Sequence, residues 1–135
     1  MNKREYLMQA IKLNELINSK LDTIAELRAL AVKSTGVISA TPSHPGKKSR
    51  LEEIVCKIAD LENEVNSDID RLIEKKREIS ETISNLDDFA GQLVLEKHYL
   101  QGKNYYQIAV ELDRSESWVY RVHKRAIDNL EIPDE

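Results

Sequence analysis

Four cations and a single anion fall between positions 114 and 127, with Arg114, Arg121, Lys124 and Arg125 standing against Glu116. Cations clustered in this way suit a polyanion, because Lys and Arg neutralise phosphates and release condensed counterions. An Arg can also grip the edge of a guanine through two hydrogen bonds. If the segment is a helix with Val119 facing inward, Ser117, Tyr120, Arg121 and Lys124 face outward at 100° per residue. Those are the positions that a recognition helix presents to base edges in a major groove. Arg121 carries the largest potential for specificity, and Ser117 can contact either a base or a phosphate. Lys124, Arg114 and Arg125 suit phosphates, whereas Glu116 would repel a phosphate but could accept from a cytosine amino group. With Ser115 at the start of the helix, Arg114, Ser115, Glu116, Ser117, Tyr120, Arg121, Lys124 and Arg125 form the candidate DNA-binding set.

Other chemistries find little support. His44, His98 and His123 are scattered, and Glu96 with His98 lacks the spacing of metal ligands on a helix. There is no phosphate-cradling glycine loop and no nucleophile elbow. The chain is therefore expected to be neither an enzyme nor a holder of a cofactor or metal. Trp118 lies beside the inward stripe and is expected to pack. His123 is expected to be structural, and Tyr105 and Tyr106 are placed for packing or for a phosphate contact.

Those residues need a scaffold, and the C-terminal sequence supplies one. Asp87 and Asp88 can cap a helix that runs to about Gln101 and stops at Gly102. Asn104 can cap a second helix, with Gln107 completing a capping box. That helix carries Ile108, Ala109 and Leu112 on one face. A turn at Leu112-Asp113-Arg114 follows, and Ser115 can cap a third helix whose inward face is Val119, Val122, Ala126 and Leu130. A small Ala109 allows the close crossing that a helix-turn-helix requires.

The preceding residues read as two long helices, at about 3–33 and about 49–85, joined by an irregular, mobile loop at 34–48 rich in Gly, Pro, Ser and Thr. Leu13, Ile17, Leu21 and Ile24 recur at three- and four-residue steps in the first. Val55, Ile58, Val65, Ile69, Leu72, Ile79, Ile83 and Leu86 do so in the second, with Glu62 and Lys76 interrupting the seam. Folding the first helix back along the second buries both stripes. The expected fold is all-α, a long two-helix antiparallel coiled-coil hairpin over 1–86 followed by a small three-helix helix-turn-helix domain over 87–135. Leftover apolar flanks at Leu51, Ile54 and Leu61 suggest a second copy, a homodimer or higher homo-oligomer through the long helices. Like-signed neighbours such as Glu74 with Glu78 and Arg71 with Lys75 suggest that surface ion pairing is not what holds the second helix.

Composition agrees with that reading. Charged residues are 33% of the 135, and Gly and Pro number only 4 and 3, as befits long amphipathic helices. Residues 1–86 hold 14 basic and 14 acidic side chains, whereas 87–135 hold 6 and 10, so the basic cluster sits in an acidic surround. No membrane span is expected, and the single Cys56 fits a reducing cytoplasm.

The stretch Tyr99-Leu100-Gln101-Gly102, followed by Tyr106-Gln107-Ile108-Ala109-Val110-Glu111-Leu112, Ser115, Val119, Val122, Lys124-Arg125-Ala126 and Leu130, resembles region four of bacterial sigma factors. The resemblance covers about 45 residues and implies a segment that reads the −35 promoter element. Two positions depart from it. Asp113 stands where such turns usually have Gly, and Glu116 stands where an Arg is common, so a −35 specificity is not implied. The segments from Ser34-Thr35 to Pro42 and from Ile58-Ala59-Asp60-Leu61-Glu62 to Asp68-Ile69-Asp70-Arg71-Leu72 resemble small phage and prophage proteins of Gram-positive bacteria regarded as transcriptional regulators. Together these imply a sequence-specific regulator binding double-stranded DNA in a bacterial cytoplasm. The alternatives are a module that docks on host RNA polymerase and a phage DNA-packaging adaptor.

Overall fold

In a computed structural model, residues 1–38 and 45–133 are described, and among them there are helices and no strands. The order is α1 (Lys3–Ile38), α2 (Pro45–Ser84), α3 (Phe89–Leu95), a π-helical turn (Glu96–Leu100), α4 (Tyr105–Leu112) and α5 (Glu116–Asn129). The all-α expectation holds. None of these helices is long and apolar enough to cross a membrane.

Helix α1 starts on a reciprocal cap. Glu5 N–H donates to Asn2 Oδ1 at 2.8 Å, and Asn2 N–H donates to Glu5 Oε2 at 3.2 Å. At its far end α1 continues past Lys33 to Ile38, through Gly36. A single glycine costs a helix about 1 kcal/mol, which is not enough to stop one. Helix α2 opens at Pro45, a first helical position that needs no N–H and suits a fixed φ. The segment read as an irregular loop, 34–48, is thus helical at 34–38 and 45–48. Its middle, 39–44, lies outside the described residues.

The chain divides into two compact units, Met1–Asn14 with Leu72–Glu135, and Glu15–Arg71. This division differs from a cut at residue 86, because both long helices are shared between the units. The cause is visible in the first unit. Tyr6, Leu7 and Ala10 of α1 pack with Ile79, Ile83 and Leu86 of α2, Leu95, Tyr99, Ala126 and Leu130 in one buried cluster. Tyr6 and Thr82 share a buried hydrogen bond of 2.9 Å between their hydroxyls. A second cluster, Val94, Ile108, Ala109, Val119 and Val122, joins α3, α4 and α5.

Among the described residues of the other unit, Ile17, Ile24, Val65 and Asp68 are buried. Lys20 Nζ donates to Asp68 Oδ2 at 2.6 Å, and Arg28 donates to Glu62. The Lys20 hydrogen bond holds the Asp68 carboxyl below its usual range. Of the residues expected in the seam, Ile17, Ile24, Val65, Ile79, Ile83 and Leu86 are buried, and the expectation is corrected at three others. Leu21 and Ile69 are exposed at 46% and 38%, as is Val55, while their neighbours Lys20 and Asp68 occupy the shielded positions. Adjacent residues on a helix differ by 100° in facing, so Lys20 and Asp68 take shielded places while Leu21 and Ile69 beside them turn outward. Glu62 interrupts the apolar series and pairs with Arg28 of α1. Ion pairing is also more extensive on α2 than expected. Arg77 bridges Glu74 at 2.5 Å and Glu81 at 2.7 Å, and Lys75 meets Glu78 at 3.0 Å. The opposite charges stand mostly three residues apart, not at the four-residue spacing of the like-signed neighbours.

Candidate nucleic-acid interface

The local signals that set α3, α4 and α5 act within a few residues. Asp88 Oδ1 accepts from Gly91 N–H at 3.2 Å and caps α3. The π-helical turn ends at Gln101, and Gly102 takes a φ of 71°, a conformation that glycine adopts without strain. Asn104 and Gln107 form the reciprocal capping box of α4, with bonds of 2.8 and 2.9 Å. Asp113 closes α4 in the left-handed region at φ 54°, where Asp is better tolerated than most side chains. Ser115 Oγ then accepts from Trp118 N–H at 3.1 Å and starts α5.

Helix α5 is fixed from within. Val119, Val122, Ala126 and Leu130 are all at most 2% exposed, as their spacing predicted. At Gly91 the α3 backbone comes so close that an added Cβ would lie 3.0 Å from the Ala126 Cβ. His123 is 1% exposed, and its Nε2 shares a 2.7 Å hydrogen bond with Tyr99 Oη. Burial is the main force on both groups. It pushes the His123 imidazole down to about 4 and the Tyr99 phenol up to about 12. His123 is therefore neutral near pH 7. Its Nδ1 has no hydrogen-bond partner among the described residues, an unsatisfied buried atom. His98 Nδ1–H donates to the Lys103 carbonyl at 2.8 Å, and the rings of His98, Tyr99, Tyr105 and His123 pack together.

The opposite side of α5 is exposed. Glu116, Ser117, Arg121 and Lys124 all face solvent, and their side chains make no hydrogen bond or ion pair with the described residues. Tyr120 is half exposed, with its ring edge-on to Tyr105 at 6.3 Å. Arg121, Lys124 and Arg125 border a shallow hollow with Asp128 and Asn129.

Three of the eight candidates are already engaged. Ser115 is spent on its cap. Arg114 lies over the Trp118 ring, 5.1 Å from its centre. Arg125 reaches Asp88 Oδ2 with Nε at 2.8 Å and an Nη at 2.7 Å. Partial burial pushes the Asp88 carboxyl up, but Arg125 and the Gly91 N–H outweigh it and hold it below its usual value. Lys97 and Lys103 converge on Glu111, at 3.5 and 2.5 Å. Among the described residues no group of three or more His, Cys, Asp or Glu side chains is arranged to hold a metal ion.

Sequence reasoning missed Lys3, whose Nζ donates to the Asp128 carbonyl at 2.9 Å, and Arg4, exposed on the same turn of α1. Nothing near Lys3 and Arg4 in the sequence announces a partner more than a hundred residues away.

Residues 31–131 match the sequence model of a family described as "Protein of unknown function (DUF1492)", and the chain belongs to that family. No curated protein and no solved structure matches it.

Proposed function

We propose that this protein is a sequence-specific DNA-binding regulator of transcription in which α4 and α5 act as a helix-turn-helix, with α5 the recognition helix. The observation that carries the reading is the division of α5 into two sides. One side is a fully buried seam, and the other presents Arg121 and Lys124 unpaired beside Ser117 and Tyr120. A cation left without an internal partner on a rigid, capped helix is ready for a phosphate or a guanine edge. The left-handed turn at Asp113 and the small, buried Ala109 suit a close crossing of the two helices. The likeness to sigma factor region four and to phage and prophage regulators supports the same reading. On this view α1 and α2 form an antiparallel pair, and the Lys20–Asp68 and Arg28–Glu62 contacts run in the order such a pair requires. The exposed Leu21 and Ile69 favour association with a second copy, which would supply paired recognition helices.

Selection of duplexes from a random pool tests the reading. The native chain enriches one motif, and an Arg121→Ala/Lys124→Ala chain does not. Equal pools from the two proteins at low salt would reject it.

A second reading draws on α4, whose Tyr106 and Val110 lie one turn apart and are 65% and 63% exposed. Large apolar side chains exposed together suit a protein partner, and host RNA polymerase is the partner consistent with the sigma-like segment. Capture of purified polymerase without DNA, lost in Tyr106→Ala/Val110→Ala, would favour it.

A further inference from the structure

We infer that the first turn of α1 belongs to the same nucleic-acid interface as α5, with Arg4 supplying a contact to a backbone phosphate on the Tyr105–Tyr120 side. The inference rests on the DNA-binding reading and extends it to a part of the chain far from α5 in sequence.

Three observations lead there. First, the turn is held rigidly against α5. Lys3 Nζ donates to the Asp128 carbonyl at 2.9 Å, next to the end of α5, and so satisfies one of the carbonyls a helix terminus leaves open. Tyr6, Leu7 and Ala10, on the same and following turns, are buried with Ala126 and Leu130 of α5. A side chain on this turn is thus carried on the same body as the α5 face.

Second, Arg4 is exposed and has no hydrogen bond or ion pair among the described residues. Other cations of the same unit are engaged, since Arg125 is held by Asp88, and Lys97 and Lys103 are held by Glu111.

Third, Tyr6 and Leu7 of the Arg4 turn are buried in one cluster with Tyr99, whose ring stacks on His123. His123 in turn meets Tyr105, and the Arg4 charge reaches these three groups, Tyr99, Tyr105 and His123. Tyr105 is the first residue of α4, and its ring meets Tyr120 on the exposed side of α5. Lys124 follows Tyr120 by one turn, and Asp128, which takes Lys3, follows Lys124 by another. Cations therefore continue from α5 to the first turn of α1. A positive charge near a buried neutral imidazole gains nothing from it, since it opposes protonation of His123. A phosphate oxygen would give Arg4 the anion that the protein does not supply.

The test uses the full chain and the duplex it selects, with the affinity followed by fluorescence anisotropy across a sodium chloride series. Arg4→Gln is expected to lower the slope of log K against log salt by about 0.9, the value of one released phosphate contact. At about 0.1 M salt the affinity falls roughly five- to tenfold, with the selected motif unchanged. Arg4→Lys keeps the slope, and both variants melt with the native protein because Arg4 is exposed. A wild-type slope for Arg4→Gln on a duplex that the native chain does bind would overturn this inference alone. A native chain that binds no duplex would overturn both the inference and the reading beneath it.

Discussion

Arg125 grips Asp88 through two of its nitrogens, at 2.8 and 2.7 Å, while the other oxygen of the same carboxylate caps α3. One acidic side chain thus starts a helix and withholds a cation from the exposed side of α5. The two roles separate on substitution. Asp88→Asn keeps a capping oxygen, since Asn caps about as well as Asp, but gives up the charge that holds Arg125. Stability should fall by less than about 1 kcal/mol, because the Arg125 side of the pair is largely solvated. On the DNA-binding reading, affinity for the selected duplex should rise about two- to fivefold at ~0.1 M salt, with a steeper salt dependence. Anisotropy titrations of the two proteins side by side decide the matter, and unchanged affinity would place Arg125 outside the interface.

The approach of α3 to α5 is set by Gly91. A Cβ there would lie 3.0 Å from Ala126 Cβ and 3.0 Å from Asp88 Oδ2. Gly91→Ala gains about 1 kcal/mol of helix propensity against that crowding, so its net effect should be small. Gly91→Leu has no such compromise and should cost about 2 kcal/mol or more, read from urea denaturation midpoints. A leucine variant as stable as the native protein would mean that the two helices part without penalty.

Asp113 sits at φ 54° between α4 and α5. Glycine reaches that region without the steric cost a Cβ carries, so Asp113→Gly should raise stability by a few tenths to about 1 kcal/mol. Asp113→Val should lower it by more than that. Thermal unfolding of the pair measures both signs, and a destabilising glycine would show that the Asp side chain itself holds the turn.

His123 makes stability depend on pH. Its folded value, about 4, lies below the usual 6.5 of an unfolded histidine, so the unfolded chain binds the extra proton. The contribution is complete above about pH 6.5, is lost as pH falls toward 4, and changes no further below that. The shift corresponds to about 3 kcal/mol. Asp68, Asp88 and Glu111 have lowered values, so their contributions are lost at still more acidic pH. Urea unfolding from pH 7 to 4 should therefore decline in the native protein and decline far less in His123→Gln. Parallel curves for the two would remove His123 as the cause.

The local features of the fold were legible in the sequence. The capping box of Asn104 and Gln107, the cap at Ser115, the left-handed Asp113 and the inward series Val119, Val122, Ala126, Leu130 each depend on residues within a turn or two of one another. Side-chain spacing encodes such features directly. What was not legible depends on distant partners. Arg125 looks free in the sequence, and only the fold brings Asp88 to it. Leu21 and Ile69 look like seam residues until Lys20 and Asp68 pair in the shielded positions beside them. The course of α1 beyond Lys33 was hidden because Gly36 weakens a helix without ending it.

The buried cluster that unites Tyr6, Leu7 and Ala10 with Ala126 and Leu130 joins α1 to α5, helices far apart in the chain. During vectorial synthesis α2 offers the opening turns of α1 a first surface through Ile79, Ile83 and, just past its end, Leu86, and α5 completes it only after it has left the ribosome. The pairing of Lys3 with Asp128 spans nearly the full chain, so loop closure of that length precedes any gain from the contact and slows assembly. A nascent chain stalled before α5 would therefore leave those apolar turns incompletely covered, a substrate for chaperones and proteases, until Ala126 and Leu130 emerge.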